Sequence, residues 1–113
     1  MKYLMFVCTD PFADPEETSD GTLEVDDWAA KYDASGQRVI GERVRPLEDA
    51  TSVRRVGGKV MVSDGPYAET KDWIGGFDVL DCADLDEVIA IAAEHPMAAG
   101  GRLEIRPFWV DEE

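Results

Sequence analysis

Apolar and polar positions alternate with two different periods along the chain, which predicts a mixture of strands and helices. Residues 3–8 form a continuous apolar run, which is typical of a strand covered on both faces. Residues 102–110 instead alternate apolar with charged positions, as a half-exposed strand does. Two more strands are predicted at residues 37–44 and 73–81, where short apolar clusters are bounded by turn residues.

Two segments carry the spacing of an amphipathic helix. The first covers residues 22–34, and the second begins after residue 84. Asp84 is a good N-cap and Glu87 stands three residues on, as in a capping box. The second helix is expected to end at His95-Pro96, because the residue before a proline is disfavoured in helical geometry. The predicted apolar stripes are Val25, Trp28, Ala29 and Tyr32 in the first helix, and Leu85, Val88, Ile89 and Ala92 in the second.

Residues 51–56 and 59–63 are strand-like runs joined by Gly57-Gly58, which indicates a β-hairpin. Without this hairpin, the order of elements is β-α-β-β-α-β, the order of ferredoxin-like folds. We therefore predict an α+β, ferredoxin-like sheet with an inserted β-hairpin. Since such a sheet carries both helices on one face, its other face needs a cover. A two-fold homodimer is the commonest cover, so we predict one.

Length and composition indicate one folded domain over residues 1–113. The longest apolar run, residues 3–8, is far below the roughly 20 residues that cross a bilayer. This run also lacks the length and cleavage site of a signal peptide, so we expect a cytoplasmic protein. The net charge of −14 repels phosphate backbones and anionic lipids, which argues against nucleic-acid and membrane partners.

The sequence shows no motif that would hold a cofactor or metal. One histidine and two distant cysteines, Cys8 and Cys82, do not form a transition-metal site. Both cysteines have apolar or strand-like neighbours, so we expect buried thiols. No phosphate-binding glycine-rich loop is present, and Gly57-Gly58 and Gly75-Gly76 fit turns or bulges better. We therefore predict no cofactor and no metal.

Residues 62–71 form a dense polar segment between two apolar runs. Gly65-Pro66 marks this segment as a loop, and loops held by rigid neighbours commonly carry binding residues. We predict that it lines a polar cleft for a small molecule. The predicted ligand-binding residues are Arg45, Asp64, Gly65, Tyr67, Glu69, Lys71 and Trp73.

Asp64 and His95 are the candidates for catalysis, as general base in a metal-independent lyase or isomerase. The alternative role of Asp64 is to accept a hydrogen bond from the turn backbone two residues on. The alternative role of His95 is to cap the second helix, where the helix dipole favours its charged form. Glu69 and Lys71 either form an exposed ion pair or bind and orient an anionic ligand group.

The loop also carries a family resemblance. Asp64-Gly65-Pro66-Tyr67-Ala68-Glu69-Thr70-Lys71, followed by Gly75-Gly76-Phe77, resembles the signature of DGPF-type proteins in the YCII-related superfamily. The resemblance covers residues 37–108 and leaves residues 9–36 unmatched. Its other segments are Gly41-Glu42-Arg43-Val44-Arg45-Pro46, Asp84-Leu85-Asp86-Glu87, Gly100-Gly101 and Glu104-Ile105-Arg106-Pro107.

This resemblance implies a dimeric α+β barrel with a cleft between helices, sheet and signature loop. Some members of the superfamily are lyase-like enzymes with a His-Asp pair. Some family genes lie beside those of extracytoplasmic-function sigma factors, so a sigma-factor partner is a third interpretation. This chain departs from the pattern, since Tyr67 replaces a phenylalanine and residues 1–94 contain no histidine. The enzyme-like His-Asp pair therefore does not transfer to it.

Overall fold

The computed structural model describes residues 1–14, 16–65 and 73–110. A short 3-10 turn, Leu47–Asp49, links the second and third strands. In chain order, the other elements are β1 (Lys2–Cys8), α1 (Val25–Ala34), β2 (Arg38–Arg43), β3 (Thr51–Val56), β4 (Lys59–Asp64), β5 (Ile74–Asp81), α2 (Leu85–Ala93), α3 (Met97–Gly100) and β6 (Arg102–Pro107).

The main sheet has four strands in the order β2-β5-β1-β6, and every neighbouring pair is antiparallel. Numbered without the hairpin, this order is 2-3-1-4, which is the strand order of the ferredoxin-like fold. Strands β3 and β4 form a separate two-stranded sheet. The predicted α+β, ferredoxin-like architecture with an inserted hairpin is therefore confirmed.

The hairpin turn depends on glycine. Gly57 and Gly58 have φ values of +57° and +80°, which are left-handed conformations that only glycine adopts without strain. Their turn sets the register in which Val53 faces Val62 and Val56 faces Lys59. Most side chains of the hairpin are exposed, including Val53 at 66%. The hairpin therefore contributes little to the core.

The start of α2 follows the predicted cap. The Asp84 side chain accepts a hydrogen bond of 2.9 Å from the backbone N–H of Glu87. The carboxylate of Glu87 in turn accepts from the backbone N–H of Ala83 at 3.4 Å. Both contacts satisfy backbone donors that a helix start leaves without partners. The cap at Asp84 is thus confirmed.

The buried stripe of α2 is rotated from the predicted one. Val88, Ile91 and Ala92 face the core, whereas Leu85 and Ile89 are about half exposed. The helix also ends at Ala93, and a short third helix, α3, follows, which was not predicted from the sequence. Pro96 allows this because its fixed φ suits the start of a new helix even though it ends the preceding one.

The core lies between the helices and one face of the sheet. Trp28 is 1% exposed, and its indole N–H donates to the carbonyl oxygen of Ile91 at 2.9 Å. This bond ties α1 to α2, and Tyr32 adds a second tie through its hydroxyl to Glu94. The buried cluster consists of Tyr3, Met5, Trp28, Tyr32, Leu80, Cys82, Val88, Ile91 and Ala92.

The prediction that β1 is covered on both faces is wrong for the single chain. Tyr3 and Met5 are buried on the helix side, whereas Leu4 and Phe6 on the opposite side are only partly buried. The guanidinium of Arg106 lies 5.7 Å from the centre of the Phe6 ring on that side. We call the outward face carrying Leu4, Phe6, Ile40, Phe77 and Val79 the open face of the sheet.

Both cysteines are buried thiols, as predicted, and neither forms a disulfide within the described part of the chain. Burial, with Glu87 nearby, raises the pKa of the Cys82 thiol to about 11, so it remains protonated at neutral pH. Among the described residues, no helix has the length and apolar character needed to cross a membrane.

Candidate functional site

A cavity of about 950 Å³ lies between α1 and the β2-β5 end of the sheet. The segment that follows α2 forms another part of its wall. Apolar side chains dominate, and a small set of titratable groups lies among them. We call this space the α1 cavity. Its lining includes Val7, Thr9, Val25, Asp26, Trp28, Ala29, Arg38, Glu42, Arg43, Phe77, Asp78, His95, Pro96 and Met97.

Asp78 lies in the middle of β5 and faces the helix layer. Its strand neighbour is Met5, which is fully buried, and Asp78 itself is only 5% exposed. One oxygen, Oδ1, accepts a hydrogen bond of 2.8 Å from Nε of Arg38. Burial raises the pKa of Asp78, and the Arg38 charge opposes this shift without cancelling it. No described residue hydrogen-bonds to the other oxygen, Oδ2.

Arg38 is the first residue of β2, and its side chain links β5 to α1. Its Nε binds Asp78 on β5, and its Nη1 lies 2.9 and 3.1 Å from the two carboxylate oxygens of Asp33 in α1. Its side chain is 17% exposed. The guanidinium therefore lies between two carboxylates, and it fixes the end of α1 against the sheet.

Gly41 makes room for this ion pair. A β-carbon at this position would collide with Oδ1 of Asp78 and Nη2 of Arg38, so the pair passes directly over the Gly41 backbone. Gly41 is not at the irregularity of β2, because the register shift of this strand falls between Arg38 and Ile40. The close approach of the Arg38 and Asp78 side chains to the backbone, rather than a bulge, explains why position 41 requires glycine.

His95 follows α2 and is 4% exposed. Its Nδ1 accepts a hydrogen bond of 3.0 Å from the backbone N–H of Met97. Its ring packs edge-on against Trp28, with 4.7 Å between ring centres. A neutral imidazole whose Nδ1 accepts must carry its proton on Nε2. His95 therefore presents an N–H donor at Nε2, for which no described residue supplies a partner.

The expectation that His95 is held in its charged form does not fit this environment. Burial lowers the pKa of His95 below its ordinary value of 6.5, and the nearby positive charge of Arg38 lowers it further. Desolvation of a nearly inaccessible ring exceeds the attraction of an exposed helix end. The neutral imidazole is thus the dominant form at neutral pH.

The structure does not bring the two predicted catalytic residues together. Asp64 ends β4 in the exposed hairpin, whereas His95 is buried beside Trp28. No hydrogen bond between Asp64 and His95 occurs in the described part of the chain, and Asp64 does not line the α1 cavity. The expected turn bond of Asp64 is also excluded, because the residue two positions on is Pro66, which has no N–H.

The remaining predicted ligand-binding residues are spread over several places. Arg45 is exposed and forms an ion pair of 2.9 Å with Asp49. Gly65 closes the base of the hairpin, where its N–H donates to the carbonyl oxygen of Ala50. Trp73 exchanges hydrogen bonds of 2.9 Å with Thr9, a residue of the cavity wall. Tyr67, Glu69 and Lys71 lie outside the described residues.

Sequence reasoning missed Arg38 and Asp78. Asp78 stands between Phe77 and Val79, so alternation along the strand predicts that the two apolar side chains face the core and that Asp78 faces solvent. In the fold, Asp78 shares the buried face with Gly76 and Leu80 instead. Arg38 likewise looked like one of many surface arginines. Among the described residues, there is no cluster of three or more histidine, cysteine, aspartate or glutamate side chains that could hold a metal ion.

Comparison with known proteins supports the same fold family. A sequence model of the YCII-related domain matches residues 1–110, so the chain belongs to the YCII-related domain family. The chain is also 38% identical over 79 residues to an uncharacterized protein of Rhizobium meliloti (strain 1021). The matched region covers 68% of this chain and 64% of that relative, so the chain spans less than two thirds of the relative's length.

Proposed function

We propose that this protein binds a small organic molecule in the α1 cavity. One observation carries the proposal: a buried histidine, His95, lines a large cavity and has an N–H donor without a described partner. Among the described residues, no fully buried side-chain nitrogen or oxygen lacks a hydrogen-bond partner, so this N–H is accessible from the cavity and can donate to a ligand there. The cavity volume of about 950 Å³ falls within the usual range for small-molecule sites.

The composition of the wall supports this proposal. Small-molecule sites are mostly apolar, with a few polar groups that fix the orientation of the ligand. Here Val7, Trp28 and Met97 supply apolar surface, while His95 and Asp78 supply the polar groups. Trp73 contacts this wall through its hydrogen bonds with Thr9. The signature loop therefore follows the hairpin in the chain and leads to a residue beside the cavity.

Binding fits the geometry better than a lyase or isomerase reaction with His95 as general base. A base must have a free lone pair, but the lone pair of Nδ1 already accepts from Met97. Use of Nε2 as the base would require the other tautomer, which loses that hydrogen bond. Asp64, the other proposed base, remains a candidate only for chemistry at the hairpin.

We also propose that two copies associate through the open face of the sheet. Ile40 on this face is 51% exposed, and its four apolar neighbours are partly buried. A second copy presents the same apolar surface, and a two-fold axis would bring the two surfaces together. The open face is the only large apolar surface of the four-stranded sheet in the described part of the chain that the helices do not cover.

Thermal-shift screening with a metabolite library tests the binding site. We expect at least one compound to raise the melting temperature of the wild-type protein, because a ligand stabilises the state that binds it. Ala29 lines the cavity, whereas Ala30 beside it is exposed and does not. Ala29→Met should therefore abolish the shift, and Ala30→Met should preserve it.

Asp64→Ala distinguishes the α1 cavity from a cleft at the signature loop. A ligand of the cavity should still raise the melting temperature of this variant. If the shift instead survives in Ala29→Met and disappears in Asp64→Ala, the ligand binds at the loop and the cavity proposal is wrong.

A further inference from the structure

The charges around the α1 cavity are not those of an anion site. Arg38 and Arg43 are positive, whereas Asp26, Glu42 and Asp78 are negative. Asp33 lies outside the cavity but adds a second carboxylate at Arg38, beside that of Asp78, through its ion pair. The chain as a whole also carries a net charge of −14. An anion entering this region would therefore meet a negative surrounding field.

Arg38 is already engaged by acids. Its Nε and Nη1 bind two different carboxylates at 2.8 and 2.9 Å. A further carboxylate at this guanidinium would compete with Asp78, which is buried and cannot recover its hydration. Because a buried charge without a partner is strongly unfavourable, this competition opposes binding. Arg43, the other arginine of the wall, is exposed, so the buried part of the wall is not a carboxylate receptor.

Two buried residues of the wall each keep one polar side-chain atom available to a ligand. Nε2 of His95 is a donor, and Oδ2 of Asp78 is an acceptor, and neither has a described hydrogen-bond partner. Both residues are more than nine-tenths buried and line the same cavity. A ligand that satisfies both must offer one acceptor and one donor without adding charge.

We infer that the α1 cavity selects an uncharged ligand that combines a carbonyl acceptor with a hydroxyl or amide donor, and discriminates against the corresponding carboxylate. The carbonyl oxygen accepts from Nε2–H of His95, and the hydroxyl or amide N–H donates to Asp78. This inference rests on the proposed binding function and adds the chemical class of the ligand.

Benzamide and benzoate form a suitable matched pair of probes. They have nearly the same shape, but benzamide offers an uncharged acceptor and donor, whereas benzoate offers only a charged acceptor. His95 is the single histidine of the chain, so its imidazole nitrogen and proton resonances report binding without ambiguity. We expect benzamide to shift these resonances and to bind at least about tenfold more tightly than benzoate.

Two variants test the role of the acids around Arg38. Asp33→Asn removes a carboxylate from Arg38 and leaves the guanidinium freer to bind an anion. Asp27→Asn makes the same change of charge on α1, but Asp27 is exposed and does not line the cavity. Asp33→Asn should therefore increase the affinity for benzoate by about tenfold, whereas Asp27→Asn should change it much less.

The outcomes separate this inference from the function on which it rests. Tighter binding of benzoate than of benzamide at His95 in the wild-type protein would overturn the inference and support a ligand site in the cavity. Equal gains in benzoate affinity in the two variants would also overturn it, because only net charge would then matter. If neither probe shifts the His95 resonances at millimolar concentration, the inferred ligand class is contradicted, whereas a melting-temperature shift from the metabolite library that Ala29→Met abolishes would still support binding in the cavity.

Discussion

At the scale of single residues, surroundings rather than position in the sequence determine the chemistry of His95. A histidine at the end of a helix is stabilised as a cation by the helix dipole. Here the ring lies against Trp28 with 4% exposure, and Arg38 supplies a like charge. Both effects favour the neutral form. The hydrogen bond from Met97 then fixes which nitrogen carries the proton.

This environment predicts a pH dependence of stability. The pKa of His95 in the folded protein is lower than its ordinary value of 6.5. The unfolded chain therefore takes up the proton first as the pH falls, so the stabilisation is complete above pH 6.5 and is lost below it. Nuclear magnetic resonance titration of the single histidine should give a pKa below 6.5.

His95→Asn provides the control for this prediction. The asparagine carbonyl can still accept from Met97, but the side chain does not titrate. Between about pH 7.5 and pH 5.5, the wild-type melting temperature should fall more than that of the variant. Equal losses would show that the carboxylates, and not His95, determine the pH dependence in this range.

At the scale of elements, the order of strands and helices was predictable because each depends on a local pattern. The cap at Asp84 and the turn at Gly57-Gly58 are local signals, and both appear in the structure. It was less predictable which face of each strand is buried. Which face of β5 is buried depends on its pairing with β1 and on the helices above it, so Asp78 could not be assigned to the interior from alternation alone.

The candidate site was predictable only in part for the same reason. His95 was found because it is the single histidine, but the other polar groups of the cavity, Arg38 and Asp78, come from β2 and β5, which the chain brings together over long separations. Asp64 stood out through its loop, and the hairpin carries it away from the cavity. The helix α3 was missed because the proline that ends one helix also begins the next.

The pairing of β2 with β5 predicts a strong requirement for glycine at position 41. Gly41→Ala would place a methyl group against the Arg38–Asp78 ion pair, so the pair or the strand must shift. Overpacking of this kind costs about 1–3 kcal/mol of unfolding free energy. Chemical denaturation should show this loss as a lower midpoint.

Gly100→Ala is the matched control, because a β-carbon at Gly100 would meet no atom within 4 Å. Gly100 ends α3, where alanine is the better helix former, so the free energy of unfolding should be unchanged or slightly higher. A loss as large in Gly100→Ala as in Gly41→Ala would contradict the role assigned to the ion pair.

At the scale of the whole molecule, the fold leaves one face of a four-stranded sheet without a helical layer. The core residues all lie on the helix side, and the open face keeps an apolar centre at Leu4, Phe6 and Val79. Glu104 and Arg106 pair with each other at 2.8 Å beside Phe6, so the edge of this face is polar. An apolar centre with a polar rim is the usual organisation of a protein interface.

A charged residue at the centre of the open face should therefore separate the proposed dimer. Val79 lies between Leu4 and Ile40, and Val79→Glu would bury an unpaired carboxylate between two copies. Sedimentation equilibrium at micromolar concentration should give twice the chain mass of 12.5 kDa for the wild type and a single chain for Val79→Glu. Val53→Glu, on the exposed hairpin, should remain dimeric. Because Val79 faces away from the core, the separated chain should keep its fold. A wild-type monomer at this concentration would refute the assembly and leave the α1 cavity, on the opposite side of the sheet, as a site within one chain.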